Sequence, residues 1–153
     1  MVDLRKNAEP RYYAAYGSDL HLSRMSQRCP TARLVGSDVL SDWQLRFRGT
    51  PGNAVATIER VKDHTVPVLI YALEPEDELA LDGFEGWPQL YRKEDVEVRV
   101  DGRTVTAFTY IMNEVNHPYN QPGGYYYNVI LAGYLLNDFE VGILQEAVSD
   151  NPR

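Results

Sequence analysis

Cysteine is almost absent from this sequence. Cys29 stands alone, which excludes an intrachain disulfide and any thiolate-rich metal site and fits a reducing compartment. Histidine is as sparse: His21, His64 and His117 lie far apart, no pair stands at ligand spacing, and no metal site is expected. No run of Lys or Arg exceeds a dipeptide, and the net charge is -7. Neutralising phosphates needs a basic face, so nucleic acid is not an expected partner. No apolar run approaches the ~18 residues of a membrane span, and residues 1–10 are charged rather than apolar; a cytoplasmic protein without membrane contact is expected. A Gly-rich phosphate loop and a Gly-x-Ser-x-Gly elbow are also missing.

What is present suits one folded domain. Of 153 residues 44% are hydrophobic, enough for a core, and 24% are charged, enough for solubility. Residues 1–10 have little to bury and are expected to form a flexible tail, leaving 11–150 as the domain. The run Tyr12-Tyr13-Ala14-Ala15-Tyr16 ends at Gly17, and Ser18 and Asp19, both good N-cap residues, open a helical segment that must stop before Pro30. This strand, tight turn and helix start would leave several backbone N–H groups pointing one way, a candidate cradle for an anion. Most junctions of this kind are only well-capped helices. Arg24 and Arg28 share one face of the helix.

The middle reads as β-structure. Strands are expected over 32–40, 43–48, 55–61 and 66–73, with turns at Gly49 to Asn53 and Lys62 to His64. Short connections without a helix suggest antiparallel pairing and a barrel. Asp101-Gly102 joins two further strands in a hairpin. Tyr125 to Leu136 and Phe139 to Val148 have helical spacing. Consecutive helix positions are about 100° apart, so Tyr125, Tyr126 and Tyr127 cannot all face the core.

Between these blocks, Pro75 and three acids open a helix in which Leu79 is expected to pack inward. Gly83-Phe84-Glu85-Gly86-Trp87-Pro88 follows. Aromatic neighbours there would hold Glu85 in partly apolar surroundings and raise its pKa. A solvated loop glutamate is the commoner outcome for such a residue. Cys29 as a nucleophile paired with a distant histidine is the weaker candidate, since a lone cysteine beside a proline more often packs.

Taken together, Tyr16-Gly17-Ser18-Asp19-Leu20, Arg24-Met25, Arg28-Cys29-Pro30, Leu81-Asp82-x-x-Glu85-Gly86, Tyr91-Arg92, Tyr126 and Gly133 resemble the γ-glutamylcyclotransferase family over nearly the whole chain. The resemblance implies an α+β fold around a mixed, mostly antiparallel β-barrel with short flanking helices. It also implies an intramolecular acyl transfer, without cofactor, that releases 5-oxoproline from a γ-glutamyl amino acid, peptide or amine. By resemblance Glu85 is the general base, and Tyr16, Gly17, Ser18, Asp19, Leu20, Tyr91 and Tyr126 bind the substrate. A homodimer is a family-level expectation. One departure is Asp19, where many members carry Asn; its charge would oppose an anion unless it caps the helix or meets an arginine, Arg24 by spacing. The alternative on the same fold is a non-catalytic protein that binds a small metabolite or a partner.

Overall fold

The computed structural model describes residues 10–114, 117–149 and 151. Of the expected tail over residues 1–10, residues 1–9 lie outside the described residues. Strand β1 (Arg11–Ala15) runs through the middle of a five-stranded sheet of order β2-β3-β1-β5-β4, with β2 (Arg33–Arg48), β3 (Val55–Leu73), β4 (Tyr91–Val100) and β5 (Arg103–Met112). It pairs antiparallel with β3, Tyr13 opposite Tyr71, and parallel with β5, Tyr13 opposite Phe108. A central strand has both faces covered, which is why four of its five residues are buried and the run is apolar without alternation.

Where four separate strands were expected over 32–73, two long bent ones are found. Lys62 to His64 does not reverse the chain: Asp42 and Asp63 each take a φ of 66° and the Asp63 N–H donates to Asp42 Oδ1 at 3.0 Å, so two facing irregularities bend β2 and β3 together. Asp tolerates the left-handed region better than most residues, and a bulge and a turn need the same residue types. Gly49 to Asn53 does turn, with Gly52 at φ 75° and the Asn53 N–H on the Thr50 carbonyl at 2.9 Å.

The expected barrel is not formed, because the sheet stays open between β2 and β4. Its curl brings these edges close enough for the Arg99 N–H to reach Asp38 Oδ2 at 2.9 Å. Side chains rather than a backbone ladder fill the seam: Leu40, Trp43 and Val96 are buried, and Arg60 lies over the Trp43 ring while pairing with Glu94 at 2.9 Å. The Asp101-Gly102 hairpin is present, with both residues at positive φ and Val100 paired with Arg103.

Among the described residues four α-helices accompany the sheet: α1 (Leu22–Arg28), α2 (Pro75–Glu85), α3 (Gly124–Leu136) and α4 (Val141–Ser149). Among the described residues none is long and apolar enough to cross a membrane. Helix α2 starts on a reciprocal cap between Glu74 and Asp77 and ends at Gly86, whose φ of 67° is the left-handed geometry that terminates a helix. It buries Leu81 completely and leaves Leu79 73% exposed, reversing the inward placement expected of Leu79. Among the three consecutive tyrosines of α3, Tyr125 faces solvent at 80% exposure. Gly133 lets α3 press on the Gly17 turn, since a Cβ there would stand 2.5 Å from the Leu20 Cβ.

Candidate functional site

The C-terminal end of β1 runs into a single turn of 3₁₀ helix, Ser18–Leu20, closed by the Leu20 N–H on the Gly17 carbonyl at 3.0 Å. Being first in that turn, the amides of Ser18 and Asp19 find no acceptor among the described residues. A cleft of about 310 Å³, partly open to solvent, lies beside this turn. Tyr13, Tyr16, Gly17, Ser18 and Asp19 line it from the β1 side, Ala56 from β3, Glu85 from the last residue of α2, Tyr91 and Tyr110 from β4 and β5, and Tyr126 from α3. Six elements thus converge on one hollow, and Glu85 shares it with Gly17 and Ser18.

Glu85 is the one uncommitted acid there: among the described residues nothing hydrogen-bonds its carboxylate. Burial pushes its pKa up from the ordinary value of 4.5 to about 8, the nearby Asp19 charge adds to the rise, and Arg28 and Arg24 oppose it. The neighbours expected to do this do not. Phe84 is 58% and Trp87 42% exposed, turned outward onto Arg28 and Lys93. Consecutive positions at the end of a helix point in different directions, so Glu85 faces inward while its sequence neighbours do not.

Asp19 does not cap the helix, and Arg24 is not its partner. Its Oδ2 accepts from the Tyr13 hydroxyl at 2.7 Å and its Oδ1 from Arg28 Nη1 at 3.0 Å, while its carbonyl accepts from Tyr71 at 3.0 Å. The capping role at α1 falls to His21, whose Nδ1 accepts from the Arg24 N–H at 3.4 Å. The acid at position 19 is therefore already paired with Arg28 and Tyr13, and its unpaired backbone N–H is the donor it has left. Leu20 is fully buried against Gly133, its N–H is spent on the Gly17 carbonyl, and it is not among the residues that line the cleft.

Three hydroxyls are already partly spent. Tyr16 donates to the Tyr110 carbonyl, and Tyr91 donates to the Ala56 carbonyl at 2.6 Å. Tyr126 instead accepts from the Ala56 N–H at 3.0 Å, which leaves its own proton without an acceptor among the described residues. Ala56 sits in the part of β3 that has run beyond β1, so its outward backbone groups have no strand to pair with and take two tyrosines instead. Burial holds Tyr13, Tyr16, Tyr91 and Tyr126 well above the ordinary tyrosine pKa, so all four are donors and none a base.

Sequence reasoning missed Tyr13, Tyr110 and Ala56. Tyr110 donates to Asp82 Oδ1 at 2.6 Å, and Asp82 is held in turn by Lys93 at 2.9 Å, which ties α2 to the sheet three residues before Glu85. Tyr110 lies in the continuously buried stretch of β5 from Ala107 to Met112, where no alternation of polar and apolar residues marks the face that borders the cleft. Cys29 is no nucleophile: burial pushes its thiol up to about 12, and it donates to the Asp77 carbonyl at 3.5 Å. Among the described residues no group of three His, Cys, Asp or Glu side chains is arranged to hold a metal ion.

A family model described as gamma-glutamyl cyclotransferase, AIG2-like, matches residues 13–128. Among solved structures, one described as a gamma-glutamyl cyclotransferase is 24% identical with a TM-score of 0.79, covering 91% of this chain and 86% of that one. An uncharacterized protein from Homo sapiens is 25% identical with a TM-score of 0.79, covering 92% and 87%. YkqA from Bacillus subtilis is 22% identical with a TM-score of 0.71, covering 94% of this chain but 54% of its own. No curated protein matches the chain.

Proposed function

The chain belongs to the gamma-glutamyl cyclotransferase, AIG2-like family, and we propose that it cyclises γ-glutamyl compounds to 5-oxoproline with Glu85 as general base. The observation that carries this reading is one free carboxylate in the same cleft as the unpaired amides of the Gly17 turn. An α-ammonium group is mostly protonated near neutral pH and cannot attack. Glu85 takes its proton; the freed nitrogen closes on the γ-carbonyl carbon of the same glutamyl group, and the carbonyl oxygen becomes an oxyanion. Collapse of that intermediate breaks the bond to the leaving nitrogen as Glu85 hands it the first proton, and the freed carboxylate then passes the ring nitrogen's second proton to the departing amine, leaving a lactam N–H, an ammonium ion and Glu85 as it began. No water is consumed and no cofactor is needed.

A base of this kind contributes ~10²–10⁴-fold, most when its pKa lies close to the working pH, which a carboxyl near 8 satisfies better than an ordinary glutamate. At pH 7 only about a tenth of such a group is ionised, and an arriving ammonium raises that fraction by favouring the carboxylate. The backbone of Gly17, Ser18 and Asp19 holds the developing oxyanion in this reading, while the Leu20 N–H closes the turn that presents them. Tyr16, Tyr91 and Tyr126 enclose the glutamyl chain in a folded form, and a ring-closing reaction needs that restraint. The substrate is a γ-glutamyl amino acid, peptide or amine.

The test is to incubate the purified protein with a panel of γ-glutamyl amino acids, peptides and amines and to measure 5-oxoproline. Release from at least one is expected. Silence across the panel overturns the reading.

A further inference from the structure

Among the described residues nothing hydrogen-bonds the Glu85 carboxylate, so its place in the cleft is set by the segment that carries it. That segment is the last turn of α2, a helix with little apolar anchorage: Leu81 is its one fully buried hydrophobic side chain. The rest of the hold is polar and centres on Lys93 of β4. Its Nζ reaches Glu78 Oε2 at 2.7 Å and the two Asp82 oxygens at 2.9 and 3.1 Å, gripping two acids one turn apart on the same helix face. The same ammonium lies 4.1 Å from the centre of the Trp87 ring, just beyond the helix end. Tyr110, directly opposite Lys93 on β5, donates to Asp82 Oδ1 at 2.6 Å. The Asp82 carbonyl in turn accepts from the Trp87 N–H at 3.0 Å, which closes the turn in which Glu85 lies.

We propose that Lys93 is the positioning residue for Glu85: by holding Asp82, three residues before it, and Trp87, two residues after it, Lys93 fixes the turn that points the carboxylate into the cleft. The kinetic consequence rests on the cyclotransferase reading; the placement does not. Lys93 is not among the residues that line the cleft, and the charges that act on Glu85 are those of Asp19, Arg28 and Arg24, so Lys93 works through geometry rather than through its field. Its side chain is 17% exposed and that of Asp82 14%, which sets this contact apart from a solvent-screened surface pair. Arg11 gives the contrast: it pairs with Glu78 at 3.1 Å while 44% exposed, and Glu78 lies two turns from Glu85. A base must come within hydrogen-bond reach of the proton it takes, and a displacement of ~1 Å costs on the order of 10²-fold in rate. A loosened turn therefore lowers kcat. The groups of the Gly17 turn and the tyrosines that enclose the glutamyl chain sit on other elements, so KM is spared.

The test reads kinetics and the titration of Glu85 in Lys93→Met, Lys93→Arg, Trp87→Leu and the control Arg11→Met. Lys93→Met keeps an apolar stem and removes the charge; kcat per folded molecule should fall ~10-fold or more while KM stays within ~2-fold. Lys93→Arg can still bridge both acids and lie over Trp87, and should recover most of the loss. Trp87→Leu, at an exposed position that folding does not need, should lower kcat in the same direction by less. Arg11→Met should leave kcat unchanged. The titration, followed by NMR of 13C-labelled glutamate carboxylates, requires no turnover. Asp19, Arg28, Arg24 and the neutral cleft tyrosines face Glu85 and are intact in every variant. Loss of a cation alone would raise the Glu85 midpoint, whereas a carboxylate released toward water titrates lower; Lys93→Met should lower it by ~1 pH unit or more. Unchanged kcat in both Lys93→Met and Trp87→Leu, a rise in KM in place of the fall in kcat, an equal fall in Arg11→Met, no recovery in Lys93→Arg, or a Glu85 midpoint that stays or rises overturns the proposal. The two readings fail separately: a wild type silent on every γ-glutamyl compound removes the cyclisation and leaves the titration to decide on Lys93, while turnover undiminished by Lys93→Met removes the clamp alone.

Discussion

The guanidinium of Arg28 lies 3.0 Å from the Asp19 carboxylate, which is itself only 2% exposed. The pair is local, nine residues apart, and sets the field in which Glu85 titrates: Asp19 pushes Glu85 up while Arg28 pulls it down. In Asp19→Asn the push disappears and the pull is released from its partner. Both changes favour the ionised form of Glu85, so the acidic limb of kcat/KM against pH is expected to move to lower pH. The limb due to the substrate amine would stay in place, which separates the two titrations. The variant should lose about 1–3 kcal/mol, because a half-buried guanidinium loses its counter-charge while the Tyr13 hydroxyl keeps an acceptor. An unmoved limb would mean that Asp19 does not act on the base.

Glu85 itself ties activity to stability with opposite signs. Its folded pKa of about 8 lies above the ordinary 4.5, so between those values the folded protein holds a proton that the unfolded chain has released. Stability therefore falls as pH rises through this window, by up to ~1.4 kcal/mol for each pH unit, and is lowest above pH 8. Glu85→Gln removes this dependence. It should lower turnover ~10²-fold or more yet leave the protein more resistant to urea at pH 9 than the wild type. Turnover unaffected by the substitution would remove Glu85 from the chemistry.

Ala56 gives a contrast between two tyrosines that look alike in sequence. Tyr126→Phe leaves the buried Ala56 N–H without an acceptor, whereas Tyr91→Phe leaves a carbonyl, which tolerates under-satisfaction better. The expected cost is ~1–3 kcal/mol for Tyr126→Phe and less for Tyr91→Phe, read as the shift in urea midpoint. Tyr126→Phe also removes the unspent proton, so KM should rise in that variant more than in Tyr91→Phe. Equal effects on both readouts would show that the two hydroxyls do the same work.

Local chemistry made much of this legible. The Gly17 turn, the Asp101-Gly102 hairpin, the Pro75 helix start and the two closing helices each rest on residues whose backbone preferences act within a few positions. The failures share a cause, which is that the deciding contact is distant. Asp42 and Asp63 read as turn residues, and only their pairing across two strands makes them a bend. Leu79 and Leu81 are both compatible with an amphipathic helix, and the sheet beneath chooses Leu81. Spacing alone favoured Arg24 over Arg28 as the partner of Asp19; the one-turn 3₁₀ segment before α1 changes the angle between them and reverses the choice. Resemblance named Glu85, but the burial that raises its pKa comes from the convergence of six elements that no window of sequence contains.

Gly133 tests whether α3 holds the turn in place. A Cβ at this position would stand 2.5 Å from the Leu20 Cβ and 2.9 Å from the Leu20 carbonyl carbon, and the latter is backbone that cannot swing aside. In Gly133→Ala either α3 lifts or the Ser18–Leu20 turn is pushed toward the cleft. Overpacking of this kind costs about 1–3 kcal/mol, against which alanine's better helix propensity returns ~1 kcal/mol at most. Stability should therefore fall, and because the displaced turn carries the Ser18 and Asp19 amides, kcat should fall more than the loss of folded protein explains. Leu81→Ala serves as the control: it empties a fully buried site on α2 and should cost ~2–5 kcal/mol. If kcat per folded molecule is unchanged in Gly133→Ala, the turn does not depend on α3 for its position, and the amides are held by β1 alone.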